Sequence, residues 1–173
     1  MQENELVREC QKGNTEAFKA LYNQYGQSML RTALRVLGNQ HDAEDAVQTT
    51  FVKLFKSMKN FRHESKFSTY LYRIHMNVCF DQIAKKKKMR MESLEKVRHA
   101  SHPNHDLRMQ LDEAIASLPD QQRVCFFLFA VEELKQDEIA YIMDLSLGGV
   151  KSNIFHAKRH LRKILTDGCL GVK

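Results

Sequence analysis

The residues with the most chemical potential lie near the C-terminus. In GGVKSNIFHAKRHLRKIL (148–165), the side chains Lys151, Ser152, Asn153, Phe155, His156, Arg159 and Arg162 recur at helical spacing. Together they offer hydrogen-bond donors, fixed positive charge and one aromatic ring. This is the chemistry of recognition. An arginine such as Arg159 presents a rigid fork to two acceptors on a guanine edge, and a ring such as Phe155 can rest on a thymine methyl. Catalytic chemistry is not offered: the chain shows no nucleophile–base pair, paired-carboxylate motif or Gly-rich phosphate loop. We therefore expect no enzymatic activity and no cofactor.

Two further groups of residues are candidates. KNFRHESK (59–66) places Asn60, Arg62, His63, Ser65 and Lys66 around Phe61, which can equally be a core anchor closing a loop. Arg73 and Asn77 follow at a spacing of four, about 40° apart on one helix face. Upstream, Asp42, Asp45, Gln48 and Thr49 fall on the outward side of a helix whose inward stripe is Val47, Phe51, Leu54 and Met58. Acids there favour a helix N-terminus and can also complement a basic partner. No metal is expected. His156 and His160 stand four apart and His99, His102 and His105 three apart, but none has a carboxylate or thiolate partner at ligand spacing. The cysteines Cys10, Cys79, Cys125 and Cys169 occur singly, without a C-x-x-C pair, which fits a reducing compartment.

The elements that position these groups read as helical. With 7 Gly and 2 Pro in 173 residues and no sustained strand alternation, the chain is expected to be all-α. Helices are predicted from about Thr15 to Leu37, from about Asp42 to Ser57, and from Phe67 through the lysines at 85–88. Periodicity lapses over 91–106. Further helices are predicted over Leu107–Leu118, Asp120–Val131, Gln136–Met143 and Gly149–Leu165. This gives two small helical domains, 1–88 and 107–173, with a flexible linker at 89–106. In the second, a short helix, a turn at 144–148 and a long basic helix have the layout of a helix-turn-helix. On a helical wheel Ile154, Ala157, Leu161, Ile164 and Leu165 fall within about 60° of Val150, making a docking seam opposite the donors. The helix from Phe67 is apolar on two sides, a stripe of Phe67, Tyr70, Leu71, Ile74 and Val78 and a second of Met76, Phe80 and Ile83, so it is central in its domain.

Charge supports a polyanionic partner touched at two places. Basic side chains dominate 85–110 and 148–173, acids dominate 111–147, and the formal net charge is +6. The longest apolar run, Val124–Val131, is too short to span a bilayer, so direct membrane insertion is not expected. The N-terminus carries no export-type apolar stretch, and a cytoplasmic location is the default.

Four stretches in order, DAEDAVQTTFVKLF (42–55), FSTYLYRIHMNVCFD (67–81), LDEAIASLPDQQRVCFFL (111–128) and DEIAYIMDLSLGGVKSNIFHAKRHLRKIL (137–165), resemble the extracytoplasmic-function (ECF) sigma factors, the short members of the bacterial sigma-70 class. The resemblance implies a protein that binds core RNA polymerase, recognises promoter DNA and helps melt it. It is commonly held inactive by an anti-sigma factor, often membrane-anchored. It assigns polymerase contact to Asp42, Asp45, Gln48 and Thr49. The minus-ten element falls to Asn60, Phe61, Arg62, His63, Ser65, Lys66, Arg73 and Asn77, and the minus-thirty-five element to Lys151, Ser152, Asn153, Phe155, His156, Arg159 and Arg162. The chain departs from the family pattern where Tyr70 replaces a usual Trp, Gly149 a Thr and Asn153 an Arg, and where His156 stands at a position often occupied by Arg. A stand-alone helix-turn-helix regulator and a helical adaptor with an incidental basic face are the alternatives that the residues leave open.

Overall fold

The computed structural model describes residues 3–93 and 107–170, and these residues form helices with no strand among them. The chain divides into an N-terminal and a C-terminal unit. The N-terminal unit holds α1 (Glu3–Gln11), α2 (Thr15–Leu37), α3 (Gln40–Ser57), a 3-10 turn at Met58–Asn60 and α4 (Phe67–Ser93). The C-terminal unit holds α5 (Leu107–Ala116), α6 (Asp120–Ala130), α7 (Gln136–Met143) and α8 (Leu147–Leu170).

Two asparagines start the first long helices. Asn14 Oδ1 accepts the Glu16 and Ala17 N–H groups at 3.0 and 3.2 Å, and Asn39 Oδ1 accepts Asp42 N–H at 2.9 Å. Each satisfies backbone donors that a helix start leaves unpaired. Between them Gly38 adopts φ 80 and donates to the Leu34 carbonyl at 2.9 Å, a left-handed cap open to glycine without a Cβ penalty. A two-residue break therefore turns α2 into α3. Phe51 lies edge-on to Phe18 at 5.9 Å, and Leu21, Met29, Val47, Leu54 and Met58 fill the core beside it.

Helix α1 is absent from the sequence-based plan. Leu6, Val7 and Cys10 form its buried face, and Tyr25 donates a hydrogen bond to Glu3. Helix α4 also runs further than predicted, through 89–93, into the stretch read as linker. Residues 94–106, with His99, His102 and His105, lie outside the described residues.

As expected, α4 is central: Phe67, Leu71, Met76 and Val78 are buried, and so are Tyr72 and Cys79. One polar side chain shares that core. His75 is fully buried, with Nε2 2.9 Å from the Met29 carbonyl of α2 and Nδ1 2.9 Å from Thr50 Oγ1 of α3. The carbonyl has no hydrogen to give, so Nε2 must donate. In a neutral ring Nδ1 then accepts, sharing the single Thr50 hydroxyl proton with the Ala46 carbonyl 2.6 Å away. Three helices meet at this imidazole. The hydroxyl of half-buried Tyr70 donates to Ser57 Oγ at 2.9 Å. Burial pushes the Cys79 thiol up to about 12 and Cys125 to about 11, leaving both as core apolar groups.

In the C-terminal unit Pro119 ends α5. Arg123 of α6 then donates back to the Ala116 and Leu118 carbonyls at 3.1 and 3.3 Å and to Asp120 at 2.8 Å, tying the two helices at their corner. The core beneath is Ala114, Leu118, Val124, Leu128, Ile139 and Ile142, closed by the seam of α8.

His75→Leu keeps an apolar volume but removes both cross-helix bonds. We expect it to lower unfolding stability by about 2–4 kcal/mol, read from denaturant melts of the full chain. A loss below about 0.5 kcal/mol would remove His75 from this role.

Candidate nucleic-acid interface

Helix α7 ends at Asp144, which takes the left-handed conformation (φ 53) and donates its N–H to the Ala140 carbonyl. Aspartate tolerates this region better than most residues. Two residues later Ser146 Oγ accepts Gly149 N–H at 3.0 Å and caps α8. The turn is thus shorter than predicted, and both glycines at 148–149 lie in the first turn of α8. A Cβ at Gly149 would stand 3.3 Å from the capping Ser146 Oγ, so the glycine that departs from the family pattern leaves this cap room.

The division of α8 matches the wheel. Val150, Ile154, Ala157 and Leu161 are buried, while Ile164 and Leu165 are half-buried at its far end. Opposite them Lys151, Ser152, Phe155, Arg159 and Arg162 are exposed, Phe155 by 61%. A ring that open has been left out of the core. Two candidates are less free. Asn153 is half-buried and its Nδ2 donates to the Gly149 carbonyl at 3.0 Å, and half-buried His156 lies edge-on to Phe155 at 5.6 Å between ring centroids. On one flank Lys158 sits over the Phe129 ring at 4.5 Å, and His160 Nε2 is 2.9 Å from Ser117 Oγ, which gives that histidine a structural partner.

In the N-terminal unit the loop before α4 splits its candidates. Phe61 is buried, stacked among Phe67, Tyr70 and His63 at 5.8, 4.8 and 4.7 Å, so it seats the loop. Asn60, Arg62, His63 and Lys66 are exposed and Ser65 is half-buried. On α4, Asn77 is exposed and Arg73 half-buried.

The acids of α3 have partners on α4. Asp42 binds Asn39 and Lys86, and Gln82 Nε2 donates to Asp45 Oδ2 at 2.7 Å. Lys53 reaches Asp81 at 3.4 Å further along the same antiparallel seam. Lys86, one of the four successive lysines at 85–88, is therefore part of the fold. Its ammonium, with the Asn39 amide, holds the half-buried Asp42 carboxyl below its ordinary value. Gln48 is exposed beside a groove of about 390 Å³ between α2 and α3, and Thr49 is half-buried. Sequence reasoning missed Val52 and Phe55, exposed by 54% and 57%. They continue the outward stripe Asp45–Gln48 at helical spacing, and that register was the available signal. Among the described residues no group of His, Cys, Asp or Glu could hold a metal ion, and no helix is long and apolar enough to cross a membrane.

A helix-turn-helix with an apolar seam and an exposed donor face, preceded by a separate helical unit, defines a two-part DNA-binding architecture. Known proteins share it. Sigma-70 region 2 matches residues 21–89 and Sigma-70, region 4 matches residues 108–161. ECF RNA polymerase sigma factor SigW of Bacillus subtilis (strain 168) is 30% identical over 178 residues, covering 93% of this chain and 95% of its own length. The ECF RNA polymerase sigma-E factor of Escherichia coli (strain K12) is 30% identical over 170 residues, covering 88% of each. ECF RNA polymerase sigma factor SigE of Mycolicibacterium smegmatis is 35% identical over 155 residues, and the chain spans 60% of that longer relative. The fold matches CnrH, solved in complex with the cytosolic domain of CnrY, with a TM-score of 0.73 at 24% identity over 94% of this chain and 96% of that one. It also matches the sigma factor RpoE of Bartonella quintana, solved with the anti-sigma factor NepR, with a TM-score of 0.73 at 21% identity over 86% and 96%. The chain belongs to the ECF RNA polymerase sigma factors, a family of non-enzymatic transcription initiation factors.

The lowered Asp42 pKa fixes a sign. A carboxylate held below its unfolded value stabilises the fold above that value, and the contribution fades as pH falls through it. Asp42→Asn should therefore cost stability near neutral pH and less at about pH 3, with a small total because Lys86 is half exposed. Urea melts at the two pH values check this; an equal loss at both would place the effect in the helix cap instead.

Proposed function

We propose that the chain carries core RNA polymerase to a promoter through three surfaces, acting by binding alone and in the cytoplasm. The observation that carries this reading is the division of α8, where five exposed candidates face away from a seam that is buried through Val150, Ile154, Ala157 and Leu161. A helix so divided can lay its open face in the major groove while its partner helices hold it in register.

In this reading residues 107–173 bind the minus-thirty-five element. Arg159 forks a guanine, Phe155 contacts a thymine methyl, and Lys151, Ser152 and Arg162 complete the face. Asn153 is used first for its own helix, and His156 supports Phe155. Residues 1–88 bind polymerase and the minus-ten element. The exposed stripe of α3, Asp45, Gln48, Val52 and Phe55, meets polymerase: its acid end supplies charge complementarity and its apolar end the buried area. Asp42 and Thr49 shape that stripe from its edge. Asn60, Arg62, His63, Ser65 and Lys66 receive an unstacked minus-ten base, with Phe61 as the anchor beneath them and with Arg73 and Asn77 along the single strand. The likeness to RpoE supports an anti-sigma factor as the regulating partner, membrane-anchored in the form that the family resemblance suggests.

Arg159→Ala should lower initiation from a cognate promoter by about tenfold or more while affinity for core polymerase is unchanged. Run-off transcription and a polymerase competition assay separate the two. Equal loss in both assays would sink the major-groove assignment, and tight binding to a palindromic site without polymerase would identify a stand-alone regulator.

Asp45→Arg tests the other surface. Polymerase affinity should fall by about tenfold with the melting temperature little changed, because only the surface bond from Gln82 is lost. Unchanged affinity would confine Asp45 to its seam with α4.

A further inference from the structure

We infer that Gln11, the last residue of α1, is a positioning residue for promoter reading: its side-chain amide fixes the backbone of the loop that presents Asn60, Arg62, Ser65 and Lys66. The inference rests on the proposal that this loop reads the minus-ten element.

The geometry is specific. Gln11 Nε2 donates to the Phe61 carbonyl at 2.9 Å and to the Met58 carbonyl at 3.3 Å, while Gln11 Oε1 stands 3.4 Å from His63 Nε2. Both donors and the acceptor of one amide are thus spent on a segment about fifty residues away in sequence.

The loop needs such a partner. After the 3-10 turn the chain leaves helical hydrogen bonding: Phe61 is extended at φ −69 and ψ 116, its N–H closes the turn on the Met58 carbonyl at 3.2 Å, and its own carbonyl lies beyond the turn, where Gln11 reaches it. Two residues on, His63 sits at φ 57, a left-handed conformation that a residue with a Cβ holds only where its surroundings over-determine it. Two anchors over-determine it here. From within, the Phe61 ring is clamped by Phe67 and Tyr70. From without, Gln11 holds the carbonyl of that same Phe61. The tips of Asn60, Arg62 and Lys66 are left exposed on a backbone pinned on both sides.

Gln11 is itself held. Leu6, Val7 and Cys10 seat α1 in the core, and the chain turns sharply beyond it, with Gly13 N–H on the Cys10 carbonyl at 3.0 Å and Asn14 N–H on the Glu9 carbonyl at 3.1 Å. Yet Gln11 is only half-buried and no core side chain depends on it. Its loss should free the loop without unseating the helix.

The test uses the full chain carrying Gln11→Met, which keeps the length and removes every hydrogen bond, or Gln11→Glu, which keeps the acceptor and removes both donors. Arg62→Ala serves as the reference for the reading residue. With core polymerase and a promoter library randomised in the minus-ten element, both Gln11 variants should lose about tenfold in initiation from the preferred sequence. They should also flatten selection at the same positions as Arg62→Ala. Upstream-element preference and polymerase affinity should not move. In the free protein, amide exchange should accelerate over residues 59–66 and hold its rate in α2 and α3. Unchanged loop exchange overturns the inference. So does acceleration spread evenly over the unit, or failure of both variants to fold, since either makes Gln11 a general stabiliser. Faster loop exchange with full minus-ten selectivity in Gln11→Met and Arg62→Ala alike removes the loop-reading proposal, and with it the promoter role of Gln11. Selectivity lost in Arg62→Ala but intact in Gln11→Met removes the Gln11 inference alone.

Discussion

The N-terminal unit depends on a buried imidazole that has to be satisfied. Helix α4 has buried residues on nearly every side, so apolar contact alone would tolerate several rotations of it about its axis. His75 does not tolerate them. Its two nitrogens must meet the Met29 carbonyl of α2 and the Thr50 hydroxyl of α3 together, and only one angular setting of α4 does that. A fully partnered polar group in a core fixes register, because any other setting leaves buried donors and acceptors unpaired. The consequences run outward from there. With His75 fixed, Tyr70 reaches Ser57, Phe67 closes over Phe61, and Arg73 and Asn77 turn toward the surface. The position of the loop before α4 is therefore set from inside the unit.

What the sequence made legible was whatever repeats along a helix. The stripes of α3 and α8, the centrality of α4 and the two-helix layout around 136–165 all follow from period and composition; the α3 stripe is buried throughout, while those of α4 and α8 mix buried with half-buried positions. Helix α1 was not legible, because nine residues with three buried ones make too short a stripe to stand out, and such a helix holds only through the core it docks on. The end of α4 was misread for a related reason. Its apolar pattern stops at Ile83, but lysine, arginine and methionine are good helix formers, so the backbone continues to Ser93 without a pattern to announce it. At α8 the first glycine, Gly148, looked like the end of a turn. It belongs to the first helical turn, where backbone N–H groups want a cap and Ser146 supplies one.

The candidate residues divide along the same line. Charge and donor content can be read from a sequence, but what the charge is bound to cannot. Asp42 and Asp45 read as outward acids suited to a helix N-terminus or a basic partner protein, yet each, like Lys86, has a partner across the α3–α4 seam. Phe61 had two readings of equal weight in the sequence, and its rings of contact make it an anchor. Val52 and Phe55 were not singled out in the sequence, and the structure leaves them on open surface. For the charges the deciding contact lies 44 or 37 residues away, and for Phe61 it lies across a loop in the next helix; local periodicity carries neither.

The departures from the family pattern in α8 are better explained by the turn than by the groove. A residue with a Cβ at position 149 would press on Ser146 Oγ, the atom that caps the helix, and Asn153 spends its amide on the Gly149 carbonyl one turn back. The two changes are neighbours in one local arrangement: a serine cap that wants space, and an asparagine that closes the first turn from below. Both trade a group that could face DNA for one that fixes where the helix begins. If α8 enters the groove as proposed, its first turns contribute only Lys151 and Ser152, and Phe155, Arg159 and Arg162 lie beyond them, exposed and with no such internal use among the contacts described. In the proposed reading an exposed ring and two arginines discriminate by thymine methyl and guanine edge, which ties preference in the upstream element to these three residues.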